Sequence, residues 1–173
     1  MGLIDTLFGR KAVVQNGVLI PIKMLEIEIS ERRVPSAFYR DRPGLWVWGE
    51  IPDITARAKP VAAGTKFPVQ ISRLGRDATD KEVEDSLPAD HFFGVDGISE
   101  ESAFCAILAE MLVRQWEGKE GDLEHLGRSN LIYLPSCVAL VRRRVGNREW
   151  IAHTWLRDDY RWCAGRRVLS PSN

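Results

Sequence analysis

The sequence predicts an α+β fold with a largely antiparallel sheet, one main amphipathic helix over about residues 99–117 and a C-terminal β-meander, all in a single domain spanning 1–173. Three observations carry this. Leu25-Glu26-Ile27-Glu28-Ile29 alternates perfectly, the signature of a half-buried antiparallel strand. Phe104, Ile107, Leu108, Met111, Leu112 and Trp116 recur at helical spacing. Turn signals at Asn16-Gly17 and Gly146-Asn147 lie in β-rich stretches on either side of a helical middle.

Residues 1–10 place Leu3, Ile4, Leu7 and Phe8 on one side of a short helix stopped by Gly9. Asn16-Gly17 then joins two apolar stretches as a hairpin, and Pro21 marks a break or a sheet edge. After the alternating strand, residues 30–44 form a polar loop rich in Arg and Pro, and Leu45-Trp46-Val47-Trp48 is a strand that ends near Pro52. Residues 53–66 are expected as a loop or irregular edge, and residues 67–74 as a further strand. Thr79-Asp80-Lys81-Glu82 matches a capping box, opening a helix that ends before Pro88. Ser99 caps the main helix, with Glu100 and Glu101 placed favourably on its N-terminal dipole and Gly118 at its end. A further helical turn is expected at 122–126, then strands at 131–134, 138–145, 148–156 and 161–168, with a turn at Asp158-Asp159.

The 173 residues are 45% hydrophobic and 28% charged, ordinary for a globular domain. Cys105, Cys137 and Cys163 are too few, and odd in number, for a disulfide scaffold. No apolar run is long enough to span a bilayer, and no export signal is visible, so a cytoplasmic protein without a membrane span is expected. The excess of Arg over Lys, 18 to 6, points to a GC-rich, bacterial or mobile-element source.

Formal charge sums to zero but is unevenly laid out. Residues 1–76 carry 12 Lys/Arg and 7 Asp/Glu, residues 77–124 carry 3 and 14, and residues 125–173 carry 9 and 3. Unlike segments can offset one another inside the fold, which is the preferred reading, or an acidic face can meet a partner.

Catalytic motifs are weak. His91, His125 and His153 stand 34 and 28 residues apart, whereas zinc ligands come in tight local pairs, so neither metal nor cofactor is expected. Cys137, His153 and Asp158 would make a nucleophile, base and orienting acid only if neighbouring strands brought them together; an inert thiol in an apolar strand is preferred. Glu117-Gly118-Lys119 resembles half a nuclease metal site but falls at a helix end. Met1-Gly2-Leu3-Ile4-Asp5-Thr6 fits a short acylation pattern without meaning in a bacterial cell. Nucleotide-binding and hydrolase glycine motifs are missing from the sequence.

Two regions remain. The loop from Asp90 to Gly97 gathers Asp90, His91, Asp96, Phe92 and Phe93 before the main helix, and is the place for a small hydrolase or transferase site. The bland alternative, core anchoring by the two phenylalanines, is preferred. The C-terminal sheet interleaves Arg142, Arg144 and further arginines with Trp150, Trp155 and Trp162. The leading expectation is a non-enzymatic accessory or interaction protein that binds another macromolecule, a protein partner first and a homo-oligomer second. Its surface would be an acidic helical face (Glu82, Glu84, Asp85) or a Trp/Arg-rich sheet (Arg142, Arg144, Trp150, Trp155). Nucleic-acid binding through the C-terminal arginines is the third reading. The acidic residues of the helical face are expected to serve association rather than folding.

Overall fold

In chain order the elements are β1 (Leu19–Glu28), α1 (Pro35–Arg40), β2 (Leu45–Trp48), α2 (Ile51–Arg57), β3 (Lys66–Leu74), β4 (Ala78–Thr79), α3 (Asp80–Glu84), α4 (Glu100–Arg114), β5 (Asn130–Tyr133), β6 (Val138–Arg143), β7 (Trp150–Trp155), β8 (Arg161–Trp162) and β9 (Arg167–Pro171). They come from a computed structural model that describes residues 17–40, 42–116, 120–146, 148–157 and 160–172. The expected N-terminal helix and acylation pattern, residues 117–119, and the Asp158-Asp159 turn lie outside the described residues, as do Asn16 and Asn147 of the two turns.

Seven strands form one sheet in the order β1-β3-β9-β5-β6-β7-β2. Four of its pairings are antiparallel, while β5 with β9 and β2 with β7 are parallel. The expected alternation places Leu25, Ile27 and Ile29 toward the main core, and Pro21 sits at a register slip in this edge strand, where its missing N–H costs no ladder bond. The β-meander is real for β5, β6 and β7. It stops there: the stretch expected as one strand over 161–168 is two, β8 and β9, and β9 inserts between β3 and β5.

Two helices replace expected loops. Pro35 opens α1 and Phe38 and Tyr39 bury from it. Pro52, taken as the end of a strand, stands at the start of α2, where a missing N–H is harmless, and Ile51, Ile54 and Thr55 bury at helical spacing. Six and seven residues are too short for periodicity to declare a helix. The capping box at Thr79 and Glu82 forms, and Ser99 caps α4. Gln115, not Gly118, closes α4, and the residues around 122–126 bend without forming the helical turn expected there. Their backbone is held instead by Gln115, which accepts from Leu123 N (2.6 Å), and by Asn130, which accepts from Glu124 N (2.6 Å).

The sheet has a core on each face. Helices α1, α2 and α4 cover one, over Phe67, Val69, Ile132, Ala139, Val141 and Trp150. Every residue of α4 from Ser102 to Leu112 is buried, so this helix is a central rod more than an amphipathic surface element. On the other face α3, β4 and β8 form a smaller layer over Leu131, Tyr133, Val138, Leu140 and Val168.

The charge blocks meet inside this arrangement. Lys23–Asp122, Arg33–Glu110, Arg57–Glu101, Arg76–Glu82 and Arg157–Glu84 each join the acidic segment to one of the basic ones. The deepest is Arg33–Glu110 at 2.8 Å, in which Glu110 also accepts from Ser30 N and Oγ. Burial by itself would raise the Glu110 carboxyl, but hydrogen bonds from Arg33 and Ser30 outweigh it and hold it below its ordinary value. Glu110→Ala strands the buried Arg33 guanidinium and is expected to cost about 3–5 kcal/mol of stability. Urea denaturation of the two proteins checks this; a loss under about 1 kcal/mol would show that the pair is dispensable.

Candidate functional site

The three candidate side chains of the Asp90–Gly97 loop do not line one common cavity. His91 is buried, with Nδ1 2.8 Å from Pro88 O and Nε2 3.5 Å from Glu84 Oε1, and its ring packs on Phe92. Asp90 faces elsewhere, lining a cavity of about 250 Å³ with Glu100, Phe67, Phe92 and Phe93. Asp96 is exposed at the loop tip, between the bridged Val95 and Ile98, and does not line that cavity. The cavity wall therefore carries two carboxylates with neither nucleophile nor imidazole beside them. The anchoring alternative holds for Phe93, which is buried in the main core, whereas Phe92 is half-buried beside the cavity.

The cysteine triad is separated by the pleat. Cys137 lies in the main core with Ala139 and Val141, whereas His153 pairs with Leu140 on the opposite face. Burial pushes the Cys137 thiol up to about 11 and the Cys105 thiol higher still, away from nucleophilic thiolate. Among the described residues no group of three or more His, Cys, Asp and Glu could hold a metal ion.

The acidic helical face is engaged internally. Glu82 accepts from Thr79 N (2.8 Å) and Arg76 Nη2 (2.9 Å), bonds that bring its carboxyl down to about 2. Glu84 accepts from Arg157 Nη1 at 2.7 Å, and Arg157 lies over the rings of Phe92 and Tyr133 and donates to Leu134 O. Beneath them the buried Asp80 accepts from Tyr133 OH (2.8 Å) and Trp162 Nε1 (2.6 Å). These bonds fasten the small layer to the sheet. Asp85 forms an exposed pair with Lys81. The expectation that all three acids serve association is thus revised for Glu82 and Glu84.

Past the edge of that small layer no other element among the described residues covers the sheet face. In β2, paired in parallel with β7, Leu45 and Val47 turn to the helices, and Trp46 and Trp48 to the uncovered side. Register defines three rows there: Arg142, Ile151 and Trp46; Leu140, His153 and Trp48; Val138 and Trp155. Trp46 is 58% exposed, Trp48 56% and Trp155 40%. Tyr160 bridges Trp155, 5.5 Å away, to Trp162, 4.5 Å away, which is buried in the smaller core. Trp48 stacks on His153 with centroids 4.6 Å apart and planes 22° apart. The strand end is pinned at Gly49, whose φ of +68° and close approach to Thr154 Oγ1 admit no side chain. Glu50 N donates to that same hydroxyl at 2.7 Å.

Comparison with models of known families, with curated proteins and with solved structures returned no match.

Of the residues expected to bind on the sheet, Arg142, Arg144 and Trp155 are exposed. Trp150 is not: its indole is fully buried under the helices, five positions from Trp155 and so on the other face of the strand. Trp46 and Trp48 were read only as strand formers. Their i, i+2 spacing, alternating with Leu45 and Val47, is the signal in the sequence for a two-tryptophan face.

Two measurements follow. Glu84→Lys sets a second cation beside Arg157 and is expected to cost about 1–3 kcal/mol, whereas Asp85→Lys should change the melting temperature little. Equal effects would remove the distinction. Burial, aided by the Arg142 charge, lowers the His153 pKa from 6.5. Protonation therefore favours the unfolded chain: the stability His153 supplies is complete above pH 6.5 and is lost as pH falls through the folded value. His153→Gln should flatten the fall of melting temperature just below that pH; parallel curves would refute the assignment.

Proposed function

We propose that this chain is a non-enzymatic binding protein that holds another macromolecule on the bare sheet face formed by β2, β7 and β6. The observation that carries the reading is the pair Trp46 and Trp48, each more than half exposed, beside Trp155 and Arg142. Isolated apolar side chains are common on protein surfaces, but contiguous large ones mark interaction sites, and Trp and Arg dominate binding hot spots. Of the two surfaces expected from the sequence, the Trp/Arg sheet is favoured over the acidic helical face, because Glu82 and Glu84 already have partners within the fold.

The alternative of a small hydrolase or transferase at Asp90, His91 and Asp96 loses support because those side chains face different surroundings. A cytoplasmic setting suits Cys105, Cys137 and Cys163, which are all free thiols. No helix among the described residues is long and apolar enough to cross a membrane. A bacterial or mobile-element source rests on the arginine-rich composition alone.

The test uses the wild-type chain and a Trp46→Ala/Trp48→Ala variant of matched circular dichroism as baits in source-cell lysate, split into nuclease-treated and untreated halves. A stoichiometric partner held by the wild type and lost from the variant is expected. Identical bound material on both baits, or none on either, would sink the reading.

A further inference from the structure

Building on that reading, we propose that the occupant of the sheet face is a single-stranded nucleic acid, stacked on Trp48 and Trp46 with its phosphates on Arg142 and Arg144. The first argument is ring attitude. Trp48 stacks on the ring of its cross-strand neighbour His153 with planes 22° apart, yet the residue stays 56% exposed. An indole already engaged in stacking on one side, with more than half its surface in solvent, suits a further planar group.

The second argument is spacing. Trp46 is two residues along the same strand and on the same face, about 6.6 Å away at ordinary strand rise. Two rings in succession along a flat strand make a platform for successive bases, and base–aromatic stacking tolerates any sequence. Charge supplies the third. Arg142 shares a row with Trp46 and makes no ion pair with a carboxylate among the described residues, and its field contributes to the lowered pKa of His153. Arg144, just past the end of β6, is exposed and forms a long ion pair with Glu149 (3.9 Å), one that solvent screens and a phosphate can displace. An acidic peptide would satisfy the arginines and leave the stacked ring without a planar counterpart. Hence a polynucleotide is favoured over a polyanionic protein segment.

Because the chain is neutral overall and two arginines meet phosphates, the salt dependence must be shallow. Two contacts on a single strand give a slope of about −1.4 in log K against log salt, or roughly sevenfold weaker binding between about 50 and 200 mM. This distinguishes the proposal from general electrostatic adhesion.

The experiment is fluorescence anisotropy of the full chain with labelled oligothymidylate and oligouridylate at low salt, with polyglutamate as a competitor. Binding of either oligonucleotide is expected, weakened about 5- to 150-fold by Trp48→Ala and retained by Trp48→Phe. Arg142→Glu should weaken it too, while Met24→Ala, on the opposite edge strand, should leave it unchanged. A preference for either oligonucleotide, which differ in the 2′-hydroxyl and in the C5 methyl of the base, or equal binding to both, supports the proposal. No oligonucleotide binding, or binding indifferent to Trp48→Ala, overturns it. Should the oligonucleotides fail while polyglutamate binds in a Trp48-dependent way, the nucleic-acid assignment falls and the macromolecule-binding reading stands.

Discussion

Strands β5 and β6 carry large apolar side chains on both faces, Ile132 and Val141 one way, Leu131, Tyr133 and Leu140 the other. A sheet with such strands at its centre must be covered twice. Three helices meet the first demand with a broad layer. The second is met by little material: two short strands and one short helix, set over the middle of the sheet. Among the described residues, the shortfall in that second layer leaves the outer side of β2 and β7 uncovered, so the exposed tryptophans follow from where the small layer ends.

A thin layer buries little surface, and polar fastening makes up part of the difference. Asp80 binds a tyrosine from the sheet and a tryptophan from the layer itself, and Glu84 with Arg157 ties the layer to the end of β7. Part of the uneven charge of the chain goes into joints of this kind, several of them between segments far apart in sequence. A strongly acidic stretch is therefore compatible with an unremarkable acidic surface. Neutrality over the whole chain, equally, hides the local positive charge around Arg142.

How far the sequence revealed the fold depended on how local each signal was. Thr79 with Glu82, and Ser99 ahead of Glu100 and Glu101, specify helix starts within four residues, and both formed as expected. Alternation at residues 25–29 was equally self-contained. Short helices escaped because α1 and α2 are held by tertiary burial of Phe38, Tyr39, Ile51 and Ile54, which no short window displays. The candidate face was half legible: Arg142, Arg144 and Trp155 could be named, but Trp46 and Trp48 join them only through the parallel pairing of β2 with β7, about a hundred residues later. Trp150 was misplaced for the converse reason, since which face of a strand is buried depends on what lies above it.

The place of β9 has a consequence for synthesis. It is the last strand in sequence and sits third in the sheet, between β3 and β5. Until residues 167–171 have left the ribosome, the antiparallel pair of β1 and β3 and the sheet half containing β5, β6, β7 and β2 have no bridge, and each shows a bare hydrogen-bonding edge. Once β7 has been made, the nascent chain carries two unfinished half-sheets until a single five-residue strand joins them. Folding of this topology is governed by its longest-range pairings and by whatever shields those two edges during translation.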